Sequence, residues 1–460
     1  MLSSVHNGGM ILLRFEVTNH RSLRDRAELD LRKPSLDTLR PREGEAWADH
    51  VYTVAAIFGA NASGKSALID ALHYAFEAIR LSATRWQARD RTPRVPFALD
   101  DTSRKSVSTY VLDFVLDDVR HEYGFAVGSD GIAREWLKDL PGSRWRSIFT
   151  RDGSSSEVRM LPSMKSLGGV TARELALSRA ILLDHPQLGP IGRGLLDGFE
   201  ITPLDEKHRE RRLSAITESL ASGSMDFDDI VTLMRIADIG VEEVSVREDA
   251  LPPDAVELMD EIRKLIAEKR SVEEKARSRD SQVEFRMESL DAVVRNLEFV
   301  HRSSCKEAPR FSIQRESDGT IAWLSLIVPA LDVLRNGGLF CVDEIDASLH
   351  SHLVGTLIGF FADPSVNHHA AQLVFTSHDT YLLSPLSEIE LEPEQVWFTD
   401  KDNTGATELI CLADFPRHKD ANVAKRYLSG RYGAVPRTAP SAILRLLEPR
   451  DVQMQTGVSR

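Results

Sequence analysis

The sequence predicts an α/β fold: a nucleotide-binding core carrying an antiparallel β lobe and a helical insertion. Three segments predict it. Gly59-Ala60-Asn61-Ala62-Ser63-Gly64-Lys65-Ser66 fits the phosphate-binding pattern G-x-x-x-x-G-K-[ST] at every fixed position. Gly338-Leu339-Phe340-Cys341-Val342 is an apolar run that ends in Asp343-Glu344. Gln372-Leu373-Val374-Phe375-Thr376 is another, ending in Ser377-His378-Asp379.

Taken in order, Met10 opens the first strand, and Ile11 to Val17 reads as edge-proximal. Val54 to Phe58 is a buried strand leading into the phosphate loop. Ser66 to Leu81 follows as a helix, with Leu68, Ala71, Leu72, Ala75, Phe76 and Ile79 on one face. Glycines let the loop turn its N–H groups inward, and the helix N-terminus adds partial positive charge there. Lys65 can then reach the β- and γ-phosphates, and the Ser66 hydroxyl can ligate Mg²⁺.

Val107–Leu116 and Arg120–Val127 read as a hairpin turning at Asp117-Asp118, with another strand over Gly131–Leu137. From about Arg151 to Ser289 helix is favoured, around Thr171–Leu183, His208–Leu220, Asp226–Ile236 and Asp254–Ser289. The last reads as a charge-laced, solvated arm.

The run ending in Asp343-Glu344 is a Walker B pattern: Asp343 can hold Mg²⁺, and Glu344 can orient the attacking water. By itself that pattern is weak, but paired with a phosphate loop it is strong. His378 ends a strand expected beside the Walker B strand, where it would face the γ-phosphate. Asp400-x-Asp402 reads as the turn of a hairpin, and His350, His352, His368 and His369 as surface histidines.

Bulk properties bound the rest. Net charge is −13, which excludes a uniformly basic coat but not a local basic groove. Arg85-Trp86-x-x-Arg89-x-Arg91-x-x-Arg94 and Lys207-His208-Arg209-Glu210-Arg211-Arg212 are candidates for such a groove, although solvated faces are the commoner reason for such runs. Three dispersed cysteines, Cys305, Cys341 and Cys411, show no metal-ligand spacing and fit a reducing cytoplasm. Neither a membrane span nor a signal peptide is expected.

Together these residues resemble the ABC-type ATPase heads of the SMC/Rad50/RecF class, and most closely the abortive-infection ATPases that include RloA-like proteins and the OLD-family ATPase domain. The resemblance runs from Met10 to about Pro436. It is carried by Phe15-x-Val17-x-Asn19-x-Arg21-Ser22, Glu316-Ser317-Asp318-Gly319-Thr320 at the signature place, Asp343 to His350, and Tyr427 to Pro436. It implies an N-terminal ATPase lobe over 10–150, a helical insertion over 151–295, a C-terminal ATPase lobe over 296–436 and a tail over 437–460.

It also implies ATP and Mg²⁺. Gly59, Asn61, Gly64, Lys65 and Ser66 would bind nucleotide, and Ser66 and Asp343 the metal. Glu344 and His378 would serve hydrolysis, while Ser317 and Gly319 would cap a γ-phosphate across a closed homodimer. The group implies a separate, nuclease-like effector encoded nearby. A repair or chromosome-maintenance ATPase gripping DNA directly is the alternative, and a scaffold held together by ATP a third reading. Two departures stand out: the signature is ESDGT rather than LSGGQ, and only Gln87, by order, or the segment Phe97–Asp100 could occupy the Q-loop.

Overall fold

The computed structural model describes residues 9–153, 157–202, 206–250, 293–305, 307–416 and 422–433. The arm expected over Asp254–Ser289, the end of the Tyr427–Pro436 stretch and the 437–460 tail lie outside them.

The first half contains β1 (Ile11–Thr18), β2 (Ala27–Asp30), β3 (Val54–Gly59), α1 (Lys65–Leu81), α2 (Asp101–Lys105), β4 (Ser108–Leu116), β5 (Val119–Val127), β6 (Ile132–Leu140), β7 (Arg146–Asp152) and β8 (Arg159–Met160). Next come α3 (Ala176–Leu182), α4 (Leu188–Asp197), β9 (Phe199–Thr202), α5 (Glu206–Ala221), α6 (Phe227–Ile236), β10 (Val241–Ala250), β11 (Val293–His301) and β12 (Arg310–Ser312). The last part holds α7 (Asp318–Asn336), β13 (Leu339–Val342), α8 (Ser351–Ala362), β14 (Gln372–Ser377), β15 (Val396–Lys401), β16 (Thr407–Cys411) and α9 (Val423–Leu428).

These strands form three sheets. The core sheet runs β16-β15-β3-β14-β13-β9 and is parallel except for the β15–β16 hairpin. The β lobe, β2-β1-β4-β5-β6-β7-β8, is wholly antiparallel. A small sheet, β10-β11-β12, completes the set. Alternation along β3 splits its side chains between two cores. Ala55 and Ile57 pack with α1 and the β lobe, while Val54, Ala56 and Phe58 face α7 and α8. Helix α1 is thereby buried between the core sheet and the lobe, as its apolar face anticipates.

The segment 151–295 departs from a purely helical insertion. The helices expected around Thr171–Leu183, His208–Leu220 and Asp226–Ile236 form, but β9 joins the core sheet beside β13, and β10 pairs with β11. Four residues of β9 are too short to show a strand period; partner pairing makes it a strand.

A buried amide joins the two large sheets. The register of β1 on β4 shifts between Leu12 and Arg14, a bulge beside the Leu12 N–H and C=O. Gln372, at the start of β14, takes both: Oε1 accepts from Leu12 N at 2.6 Å and Nε2 donates to Leu12 O at 2.8 Å.

Within the lobe, Arg120 and Asp113 form a bidentate pair at 2.8 and 2.6 Å, with side chains 5% and 2% exposed. Arg120 also donates to Leu39 O at 2.7 Å. Asp113→Ala would strand a buried guanidinium and is expected to destabilise the chain by about 3–5 kcal/mol. Urea unfolding followed by far-UV circular dichroism checks this. Replacing both partners by apolar residues should recover most of the loss.

Candidate functional site

The phosphate loop, Asp343-Glu344 and His378 meet at the carboxyl ends of three adjacent parallel strands, β3, β13 and β14. Such sheet edges are where α/β folds place ligands. The loop leaves β3 at Gly59, exposes Asn61 at its tip, and enters α1 at Lys65. Ala62 and Gly64 adopt left-handed backbone, φ 63° and 112°. At Gly64 a Cβ would overlap the Thr407 side chain, so glycine is required twice over.

Lys65 is 5% exposed, and its Nζ donates to Gly59 O at 2.8 Å and Ala60 O at 3.1 Å. It also lies 3.4 Å from His378 Nδ1, which can accept. Burial pulls the Lys65 ammonium below the ordinary lysine range, while the carboxylates of Glu344, Asp343 and Asp346 pull it back up. The side chain is thus a charge held at the loop by carbonyls that phosphate oxygens can replace.

Ser66 Oγ donates to Asp343 Oδ1 at 3.1 Å. A hydroxyl and a carboxylate placed side by side form the hard-oxygen donor set that Mg²⁺ prefers, so these residues fit the ion. Thr376 organises this corner. Its hydroxyl donates to Asp343 Oδ1 at 2.6 Å and accepts from Glu344 N at 2.6 Å. Glu344 itself is exposed, with φ 56°, a left-handed conformation that is costly for a non-glycine residue and gathers at functional sites. Asp346 accepts from His378 N at 3.2 Å, tying the loop after β13 to the end of β14.

The loop is braced from the β lobe and from the hairpin. Thr407 Oγ1 lies within hydrogen-bond distance of Ser63 O (2.7 Å) and Ser22 Oγ (2.8 Å), and Ser63 Oγ bonds Thr399 Oγ1 at 2.6 Å. Sequence patterns pass over Thr376, Thr399 and Thr407. Their signal is a threonine in an otherwise apolar or edge strand, readable only once the strand neighbours are known.

The signature residues stand apart from this cluster. Ser317 caps α7, accepting from Thr320 N at 3.1 Å. Gly319 lies against the loop that follows Glu344, where a Cβ would come 3.3 Å from Ser348 O.

Gln87 does not reach the metal corner. Helix α1 spans about 25 Å at 1.5 Å per residue, and Gln87 follows its far end. Its amide is also engaged, donating to Ser82 O at 2.7 Å and accepting from Thr171 Oγ1 at 2.9 Å. The Phe97–Asp100 segment is at the nucleotide end instead, with Leu99 packed on Gly405, two residues before Thr407.

The 85–94 basic run is no stacking surface. Trp86 is buried against Tyr74, and Arg94 donates to the Arg104, Ser106 and Val127 carbonyls. Asp402 is spent within its turn, accepting from Thr404 N at 2.8 Å and Ala406 N at 2.9 Å. Among the described residues, no helix is long and apolar enough to cross a membrane.

Among solved structures, an SMC head bound to the C-winged helix domain of ScpA is similar at 13% identity and TM-score 0.38, over 87% of this chain and 97% of that one. The SMC head domain from Thermotoga maritima gives 12% and 0.37, over 87% and 98%. An SMC head with an extended coiled coil, bound to the C-terminal domain of ScpA derived from Pyrococcus furiosus, gives 13% and 0.35, over 87% and 96%. No curated protein matches. Residues 54–384 match the family described as "AAA domain, putative AbiEii toxin, Type IV TA system", a span from β3 through the phosphate loop and Walker B strand to beyond His378, and the chain belongs to that AAA family.

Proposed function

We propose that this chain is a slow, switch-like ATPase that closes as an ABC-type homodimer around two nucleotides and governs a separate effector in a bacterial anti-phage, abortive-infection system. The observation that carries the ATPase reading is the corner where Ser66, Asp343, Thr376 and Glu344 are linked through one carboxylate and one hydroxyl. The toxin–antitoxin wording of the family supports the defence setting. A cytoplasmic location fits the reduced, dispersed cysteines.

In this reading the phosphate loop and Lys65 bind the β- and γ-phosphates of the substrate ATP. Ser66 and Asp343 hold Mg²⁺, which when bound neutralises phosphate charge. Glu344 accepts a proton from the attacking water, and Thr376 keeps the Glu344 backbone in place. Lys65 engages His378 through Nδ1, which leaves its other nitrogen for the γ-phosphate. Ser317 and Gly319 complete the site from the second copy. Closure is a switch only if ATP binds the closed pair more tightly than the open chains.

Expression with the neighbouring gene, under phage challenge, tests the biological half. Protection is expected to need both genes and to disappear with Lys65→Ala. Full protection, or nuclease activity, from this chain alone would overturn it. Tight, salt-sensitive duplex binding that stimulates turnover without a partner would favour the DNA-gripping alternative.

A further inference from the structure

One residue of the second basic run of the sequence, over 207–212, lies beside the signature. Arg209, on α5, places Nη1 3.6 Å from the carboxylate of Asp318. Asp318 is the first residue of α7, between Ser317 and Gly319, and its side chain is 83% exposed. An acid in the first turn suits the helix dipole. It also sets a negative charge where an approaching triphosphate would dock. Arg209 is the cation that offsets it. Among the described residues its buried Nε has no hydrogen-bond partner, so the Asp318 contact is all that holds the guanidinium's charge. A 3.6 Å pair with so exposed a carboxylate is weak and easily exchanged, whereas guanidinium and phosphate match in a two-pronged contact.

We propose that Arg209 is a phosphate-contacting residue of the composite site, supplied by one copy to the nucleotide on the phosphate loop of the other, with Asp318 as its resting partner. The assignment rests on the paired ABC-type reading above. It also explains why Asp318 can stand where LSGGQ has a glycine: the added charge comes with its own neutralising cation.

Mixing two inactive variants decides it. Arg209→Ala is expected to lower ATP turnover about 100-fold or more, as loss of an arginine on a transferring phosphate does, and Arg209→Lys to retain part of it. Lys65→Ala is inactive for a different reason. In a mixed pair, one site combines an intact phosphate loop with an intact Arg209, so an equimolar mixture should recover up to roughly a quarter of the wild-type rate. Asp318→Asn, which removes the resting partner but keeps the cation, should lower turnover far less than Arg209→Ala does.

Absence of recovery, although both variants pair with ATP by light scattering, would place Arg209 in its own chain and overturn the proposal. So would wild-type turnover by Arg209→Ala, or a loss in Asp318→Asn equal to that of Arg209→Ala, which would make the pair structural. If Glu344→Gln stays monomeric with ATP, the pairing reading fails first and the assignment falls with it, a result that the turnover of single variants does not mimic.

Discussion

Lys65→Ala is expected to lower ATP turnover by a factor of 10²–10³ or more, the range for losing a preorganised donor aimed at developing charge. Here the donor is a buried ammonium fixed by two loop carbonyls, at 2.8 and 3.1 Å. Alanine removes the charge but not the loop, whose shape is set by Gly64, Ser63 and Thr407, so the variant should fold. Phosphate release and fluorescent-nucleotide titration measure the two consequences, and unchanged kinetics in a clean preparation would refute the assignment. A pH series adds a signed check. Burial lowers the Lys65 pKa, so nucleotide affinity should begin to fall on the alkaline side at lower pH than an exposed lysine would dictate. Bound phosphate restores the charged form, so binding in that range should take up a proton.

Glu344→Gln should have the opposite signature: nucleotide binding retained, hydrolysis lost by two or more orders of magnitude, and the closed pair accumulated. Glutamine keeps the length and the left-handed backbone site but cannot accept the proton of water. Because Thr376 holds residue 344 through its backbone N–H, the substitution should leave Asp343 and the metal corner in place. Light scattering with ATP should show more dimer than the wild type. Hydrolysis at the wild-type rate would remove Glu344 from the mechanism.

What could be read from the sequence was local. The phosphate loop is a pattern of contiguous residues, and its strand and helix carry their own periodicities. The Asp117-Asp118 hairpin was equally legible, and both residues take the positive φ, 51° and 62°, that tight turns of this kind demand. Elements defined by distant neighbours were not legible. Strand β9 is four residues whose identity depends on β13, more than a hundred residues later. Gln372 reads as an ordinary polar strand start until β1 brings the Leu12 N–H and C=O within reach of its amide. Gln87 matched the order expected of a Q-loop, but order ignores the length of the helix between. In the 207–212 run, charge alone does not reveal that Arg209 stands opposite Asp318.

The interleaving of the core sheet has a consequence for how the chain is made. Both neighbours of β3 in that sheet, β14 and β15, start at residues 372 and 396. At synthesis rates of roughly 5–20 residues per second, β3 emerges from the ribosome on the order of 15–60 seconds before either neighbour. The meander β4 to β7 pairs only with itself, β1 and β8, all complete by residue 160, so it can settle early, but the apolar strand that carries the phosphate loop must wait. During that interval the nascent chain offers Val54 to Phe58 to any other strand edge or to a holdase. A ribosome stalled anywhere between Ser66 and Gln372 therefore yields a polypeptide with an intact phosphate-loop sequence and no competence to bind nucleotide.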